Sequence, residues 1–98
     1  MLVVIAALNG KPERRADIAA ALAKAAAASR GDAGCLSYSF AQDVEDPDRF
    51  LSVEAWEDKA SLDAHFTAPH LAELFGVLGD ALAGPPTITT YETSGPLS

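Results

Sequence analysis

Scarcity narrows this sequence quickly. A single cysteine, Cys35, rules out an internal disulfide, and with only two histidines beside it the ligand set falls short of an ordinary zinc site. Only 7 lysines and arginines stand against 14 acids, a net charge of −7. The basic patch that nucleic acid or an anionic membrane surface rewards is therefore not expected. The apolar run from Met1 to Leu8 stops at Asn9-Gly10, far short of a membrane span. It also lacks a basic flank, so it reads as a buried strand rather than a leader, and the chain is expected in a reducing cytoplasm. With 98 residues there is room for one core, expected as a single domain over 1–93 with a tail at 94–98.

What is present is strongly patterned. Residues 2–8 predict a strand covered on both faces. Asn9-Gly10-Lys11 is a turn, and Pro12 and Glu13 suit the start of a helix over 13–29 that stops at Gly31. Residues 34–42 alternate, with Leu36, Tyr38 and Phe40 on one face and Cys35, Ser37, Ser39 and Ala41 on the other. An acidic turn at 43–48 lacks the spacing of a calcium loop and leads into Arg49–Trp56, where Phe50, Ser52, Glu54 and Trp56 share a face. Asp58 can cap a helix that carries Leu62 and Phe66. At Thr67-Ala68-Pro69 the helix breaks and restarts, with Thr67 placed to cap and Pro69 in the first turn. Leu71, Leu74, Phe75, Leu78 and Leu82 form the next apolar stripe, Gly84-Pro85-Pro86 ends it, and Thr87–Thr93 predicts a last strand.

The order β-α-β-β-α-β predicts an α+β, ferredoxin-like fold with an antiparallel four-stranded sheet. Helices cover one face of such a sheet, yet both faces of the middle strands carry apolar side chains. A second copy packed sheet to sheet would cover the other, so a C2 homodimer is expected.

The rare side chains gather between Glu54 and His70. His65, at the end of the short helix, is the first candidate for proton transfer; the alternative is a helix-end histidine packed on Trp56. His70 falls in the first turn of the next helix, where the dipole disfavours an imidazolium. It can act as a base or acceptor, or tie the junction together. Trp56 is either a wall against an aromatic ligand or a packing residue, the commoner fate of a lone tryptophan. Glu54 either orients a histidine or pairs with Arg49 or Lys59 at the surface. Tyr38 either donates to a substrate oxygen or packs at an interface rim. Asn9 either offers its amide to a substrate oxygen or serves the turn before Gly10. Cys35 reads as a small buried hydrophobe.

Taken in order, Gly34-Cys35-x-x-Tyr38, Phe50-x-x-x-Glu54-x-Trp56, Leu62-x-x-His65, Thr67-x-Pro69-His70, Pro85 and Tyr91-Glu92 carry a resemblance over nearly the whole chain. The sequence resembles the antibiotic biosynthesis monooxygenase family, including its quinol monooxygenase branch. That resemblance implies a dimeric α+β barrel. It also implies oxygenation of a small phenolic or quinol substrate by O2 without metal, heme, flavin or other cofactor. His65, His70 and Tyr38 would then be catalytic, and Trp56, Glu54 and Asn9 would contact substrate. Similar domains isomerise a phosphorylated sugar, degrade heme, or have no known reaction. An isomerase of a sugar-like metabolite, a heme-degrading enzyme and a non-catalytic dimeric ligand-binding domain are therefore the alternatives. The scarcity of bases weighs against the phosphorylated sugar.

Overall fold

The structure is a computed structural model that describes residues 1–97; Ser98, the end of the expected tail, lies outside the described residues. Its elements are β1 (Leu2–Asn9), α1 (Arg15–Ser29), β2 (Cys35–Gln42), β3 (Arg49–Trp56), α2 (Lys59–Phe66), α3 (Pro69–Ala81) and β4 (Thr87–Glu92). Pro12–Arg14 forms a tight 3-10 turn that hands over to α1. The four strands make one antiparallel sheet in the order β2-β3-β1-β4, which is the expected ferredoxin-like plan.

The helices lie on one face of that sheet. At one end the core is aliphatic. Ile18, Leu22 and Ala25 of α1 meet Leu71, Leu74 and Leu78 of α3, over Leu8 and Phe50 of the sheet. At the other end Val4, Ala26, Tyr38, Trp56 and Leu62 form a second cluster. The alanines on the inner face of α1 let that helix approach closely, since a methyl group sets the separation of packed elements.

Three local readings need correction. First, β1 is covered on one face only in the single chain. Val4, Ala6 and Leu8 are buried, while Ile5, paired across the sheet with Val53, is 41% exposed. A continuous apolar run cannot by itself say which face a partner will cover. Second, β2 does not alternate cleanly. Its pairing with β3 slips between Cys35 and Ser37, and this bulge leaves Leu36 exposed and turns Cys35 into the Tyr38–Trp56 cluster. A bulge adds one residue to one strand and reverses the facing of what lies beyond it. Third, Thr67 does not cap α3. Its hydroxyl donates to the Ala64 carbonyl at 2.8 Å and closes α2, while Ala68 holds the N-cap position of α3 without a side-chain bond. Asp58 does cap α2, accepting from the Ser61 amide at 2.8 Å.

Gly34 positions the site. Its φ of +79° lies in the left-handed region, and a Cβ there would run into the side chain of Ser61 in the first turn of α2. Only glycine lets the loop between α1 and β2 close onto α2. The Gly34 carbonyl accepts from the Glu57 amide at 2.9 Å, locking that closure.

Candidate active site

Closure of the 30–34 loop brings an acid against both histidines. His65, in the last turn of α2, is 2% exposed, and its Nδ1 lies 2.8 Å from Oδ2 of Asp32. Nε2 of His70, in the first turn of α3, lies 2.8 Å from the same oxygen. The His70 side chain keeps 22% of its surface, against 1% for His65. The two ring nitrogens and the carboxylate oxygen lie within 4.8 Å of one another. Burial alone would push the Asp32 carboxyl up, but the hydrogen bonds from His65 and then His70 outweigh it and hold the group below its ordinary value. Asp32 is therefore an ionised carboxylate at neutral pH.

Inside this corner Tyr38 meets Phe40, Trp56 and His65 edge to face, while the His65 ring lies tilted against Trp56. The His65 ring centroid lies 4.5 Å from that of Trp56 and 5.2 Å from that of Tyr38. Glu54 is buried beneath them. One carboxylate oxygen accepts from the Ser52 hydroxyl at 2.8 Å and the other from the Trp56 indole N–H at 3.0 Å. A buried carboxylate needs such donors, and these three residues share one strand face two positions apart. The surface pairing considered for Glu54 is thus absent: Arg49 pairs with Asp43 and Lys59 with Asp63.

The phenol of Tyr38 is pushed well above its ordinary value, by burial first and by the Glu54 charge second. It stays protonated and can only donate or accept a neutral hydrogen bond. Ser29 Oγ, close by, is a buried polar atom without a hydrogen-bond partner among the described residues. The Cys35 thiol is also raised, chiefly by burial and then by Asp32 and Glu54, which leaves it a poor nucleophile.

A cavity of about 40 Å³ lies between sheet and helices, bordered by Tyr38, Glu54, His65, Phe66, Phe75 and Ile88 among others. Its rim is apolar and open to solvent, since Phe66, Phe75 and Ile88 are all exposed. The closed volume is water-sized, well below a ligand pocket of roughly 300 Å³ or more. His65 also borders a surface groove of about 350 Å³ with Asp32, Asp58 and Ser61. His70 opens instead onto a third hollow, of about 440 Å³, between α1 and α3.

Of the residues singled out in the sequence, Tyr38, Glu54, Trp56, His65 and His70 come together. Trp56 is fully buried and does not border the cavity, and neither does His70. Asn9 stands apart: it is exposed, opposite Arg49, at the end of the sheet far from Trp56. Asp32 was missed. Its only signal was topological: the α1–β2 loop and the α2–α3 junction lie at the same end of this fold.

Comparison with known proteins now adds to the geometry. The sequence profile described as "Antibiotic biosynthesis monooxygenase" matches residues 1–75. An uncharacterized protein of Synechocystis sp. is 34% identical over 91 residues, covering 93% of this chain and 62% of the relative, so the chain spans less than two thirds of that protein. A crystal structure from Pseudomonas aeruginosa is 30% identical with a TM-score of 0.86, covering 96% of this chain and 94% of the other. A crystal structure named as an antibiotic biosynthesis monooxygenase is 27% identical with a TM-score of 0.91, covering 97% of this chain and all of the other.

Proposed function

The chain belongs to the antibiotic biosynthesis monooxygenase family, and from that premise we propose that it oxidises a quinol, anthrone or similar phenolic ring with O2 and no cofactor. The observation that carries this reading is the buried histidine. His65 sits on the border of an apolar cavity, with Nδ1 engaged by a carboxylate and no hydrogen bond to Nε2 among the described residues.

Cofactor-free oxygenation asks little of a protein. The substrate must lose a proton so that its anion can pass an electron to O2, and recombination then forms a peroxide. For an anthrone, the CH2 group becomes a carbonyl, one oxygen atom enters the product and the other leaves as water, so the substrate supplies all the electrons. His65 Nε2 takes the first proton and returns it to the departing oxygen. The Tyr38 phenol, held neutral, donates to the substrate or peroxide oxygen. Glu54 keeps Trp56 and Ser52 in register beneath the ring, and the apolar walls exclude water. His70 orients the junction from outside. Asn9 is assigned no part, given its distance along β1.

A phenolic ring does not fit in about 40 Å³, so Phe66, Phe75 or Ile88 must swing outward to admit it. Ile5, Val53 and the rest of the uncovered sheet face are assigned to a second copy of the chain in a C2 homodimer. A solution mass of one chain, 10.2 kDa, would sink the dimer.

Oxygen uptake over a panel of quinols and anthrones, in metal-free buffer, tests the activity. Stoichiometric uptake with one oxygen atom of 18O2 in the product is expected. Uptake no faster than the uncatalysed autoxidation across the panel would refute the reading.

A further inference from the structure

Among the described residues Asp32 is the one that hydrogen-bonds both histidines, and it does so through a single oxygen. An ionised carboxylate has only lone pairs to offer. Each ring nitrogen that faces it must therefore carry the hydrogen, and each ring is fixed in one tautomer by that bond. We infer that Asp32 is a positioning residue that holds His65 as the Nδ1–H tautomer and His70 as the Nε2–H tautomer, so that Nε2 of His65 is left as the lone pair offered to the cavity. The inference rests on the reading of His65 as the proton acceptor.

Four observations support it. His65 is buried against Trp56 and Tyr38, so its ring is held in place and the tautomer alone decides which chemistry it can do. Asp32 comes from a loop closed by a glycine that no other residue could replace without clash. The Asp32 backbone is held at both ends, its amide bonded to the Ser29 carbonyl at 3.0 Å and its carbonyl to the Cys35 amide at 3.1 Å. The second hydrogen bond, from His70, comes from the start of α3, so Asp32 is held from two helices at once.

A positioning carboxylate does two things for a histidine base. It prevents the wrong tautomer, in which Nε2 already carries a hydrogen and cannot accept another. It also stabilises the imidazolium that forms when the base takes its proton. His70 in turn keeps Asp32 in place and ionised. The groups form a chain of support running inward from the hollow between α1 and α3 to the cavity, in the order His70, Asp32, His65.

The experiment combines nitrogen-15 NMR of the histidine rings with steady-state kinetics on the full chain. In the wild-type protein, protonated Nδ1 in His65 and protonated Nε2 in His70 are expected. Asp32→Asn, nearly isosteric but neutral, should mix the His65 tautomers and lower kcat roughly 10²-fold while KM moves less than about 3-fold, the scale of losing a well-placed base. His70→Gln, which keeps a donor for Asp32, should recover most of what His70→Ala loses. A His65 ring protonated on Nε2 in the wild type would overturn the inference without any variant having to fold. So would Asp32→Asn with unchanged tautomers and kcat. A one-to-one Zn2+ complex that survives dialysis, with both rings as ligands, would overturn it as well. If the wild type takes up no oxygen at all, the oxygenase reading fails, and the ring tautomers still decide the role of Asp32.

Discussion

Two ends of one interior, under the same helices and on the same sheet, are built from opposite materials. Around Leu8, Ile18, Leu22, Phe50, Leu74 and Leu78 the core is apolar throughout. Around Trp56 the same depth holds Ser52, Glu54 and His65, with Asp32 and His70 at the edge. The first end needs nothing but volume and shape. The second must satisfy every buried polar atom, and each hydrogen bond returns only about 1 kcal/mol net. Aliphatic side chains would fill the second end more simply. A histidine and a carboxylate buried there are explained by chemistry better than by stability, which is why the site is placed at this end.

The contrast can be broken by substitution. The largest expected effect is on turnover: His65→Ala should lower oxygenation about 10²- to 10⁴-fold, measured as oxygen uptake at saturating substrate, with the fold retained by circular dichroism. Next, Leu22→Ala at the aliphatic end should cost about 2–5 kcal/mol in urea unfolding while turnover per folded molecule stays within about 2-fold. If Leu22→Ala abolished turnover in the folded fraction, the two ends would not be functionally separate. Smaller again, Glu54→Leu should cost about 1–3 kcal/mol, because it strands the Trp56 N–H and the Ser52 hydroxyl. A more stable Glu54→Leu protein would show that the network is not what holds that end together.

Acid gives a finer test. The Asp32 carboxyl is held below its ordinary value of 3.8, so its contribution to stability is present above that value and is lost as pH falls through the depressed one. The stability gap between wild type and Asp32→Asn should close progressively in strong acid, as pH falls through that depressed value. A gap that still widens below pH 3.8 would show that the carboxylate is not held in its ionised form by the fold. The smallest effect belongs to Asn9→Ala, expected within about 0.5 kcal/mol and without change in turnover, since Asn9 is exposed and remote from the cavity.

Much of this was legible in the chain. The helix break at Thr67-Ala68-Pro69, the Asp58 cap and the shared face of Phe50, Ser52, Glu54 and Trp56 are local, and period and punctuation are enough to read them. The β2 bulge was not, because alternation counts residues and a bulge depends on how a neighbouring strand pairs. Glu54 was only half legible. Its place beside Trp56 on the strand face was clear, but not that it would turn inward to Ser52 and the indole rather than outward to Arg49.

Asp32 was invisible for a different reason. It lies 33 residues from His65 and 38 from His70, in a loop whose composition signals only a turn. The sequence alone determined the order of elements, the two faces of β3, the apolar stripe of α3, the family, and the two histidines as the groups to watch. Only the tertiary structure decided that one carboxylate would join them, that His65 would border the interior cavity while His70 opened toward solvent, and that Trp56 would sit behind the cavity wall. Periodicity is set by bonds between near neighbours along the chain, whereas a hydrogen bond across 33 residues exists only once Gly34 has let the α1–β2 loop close on α2.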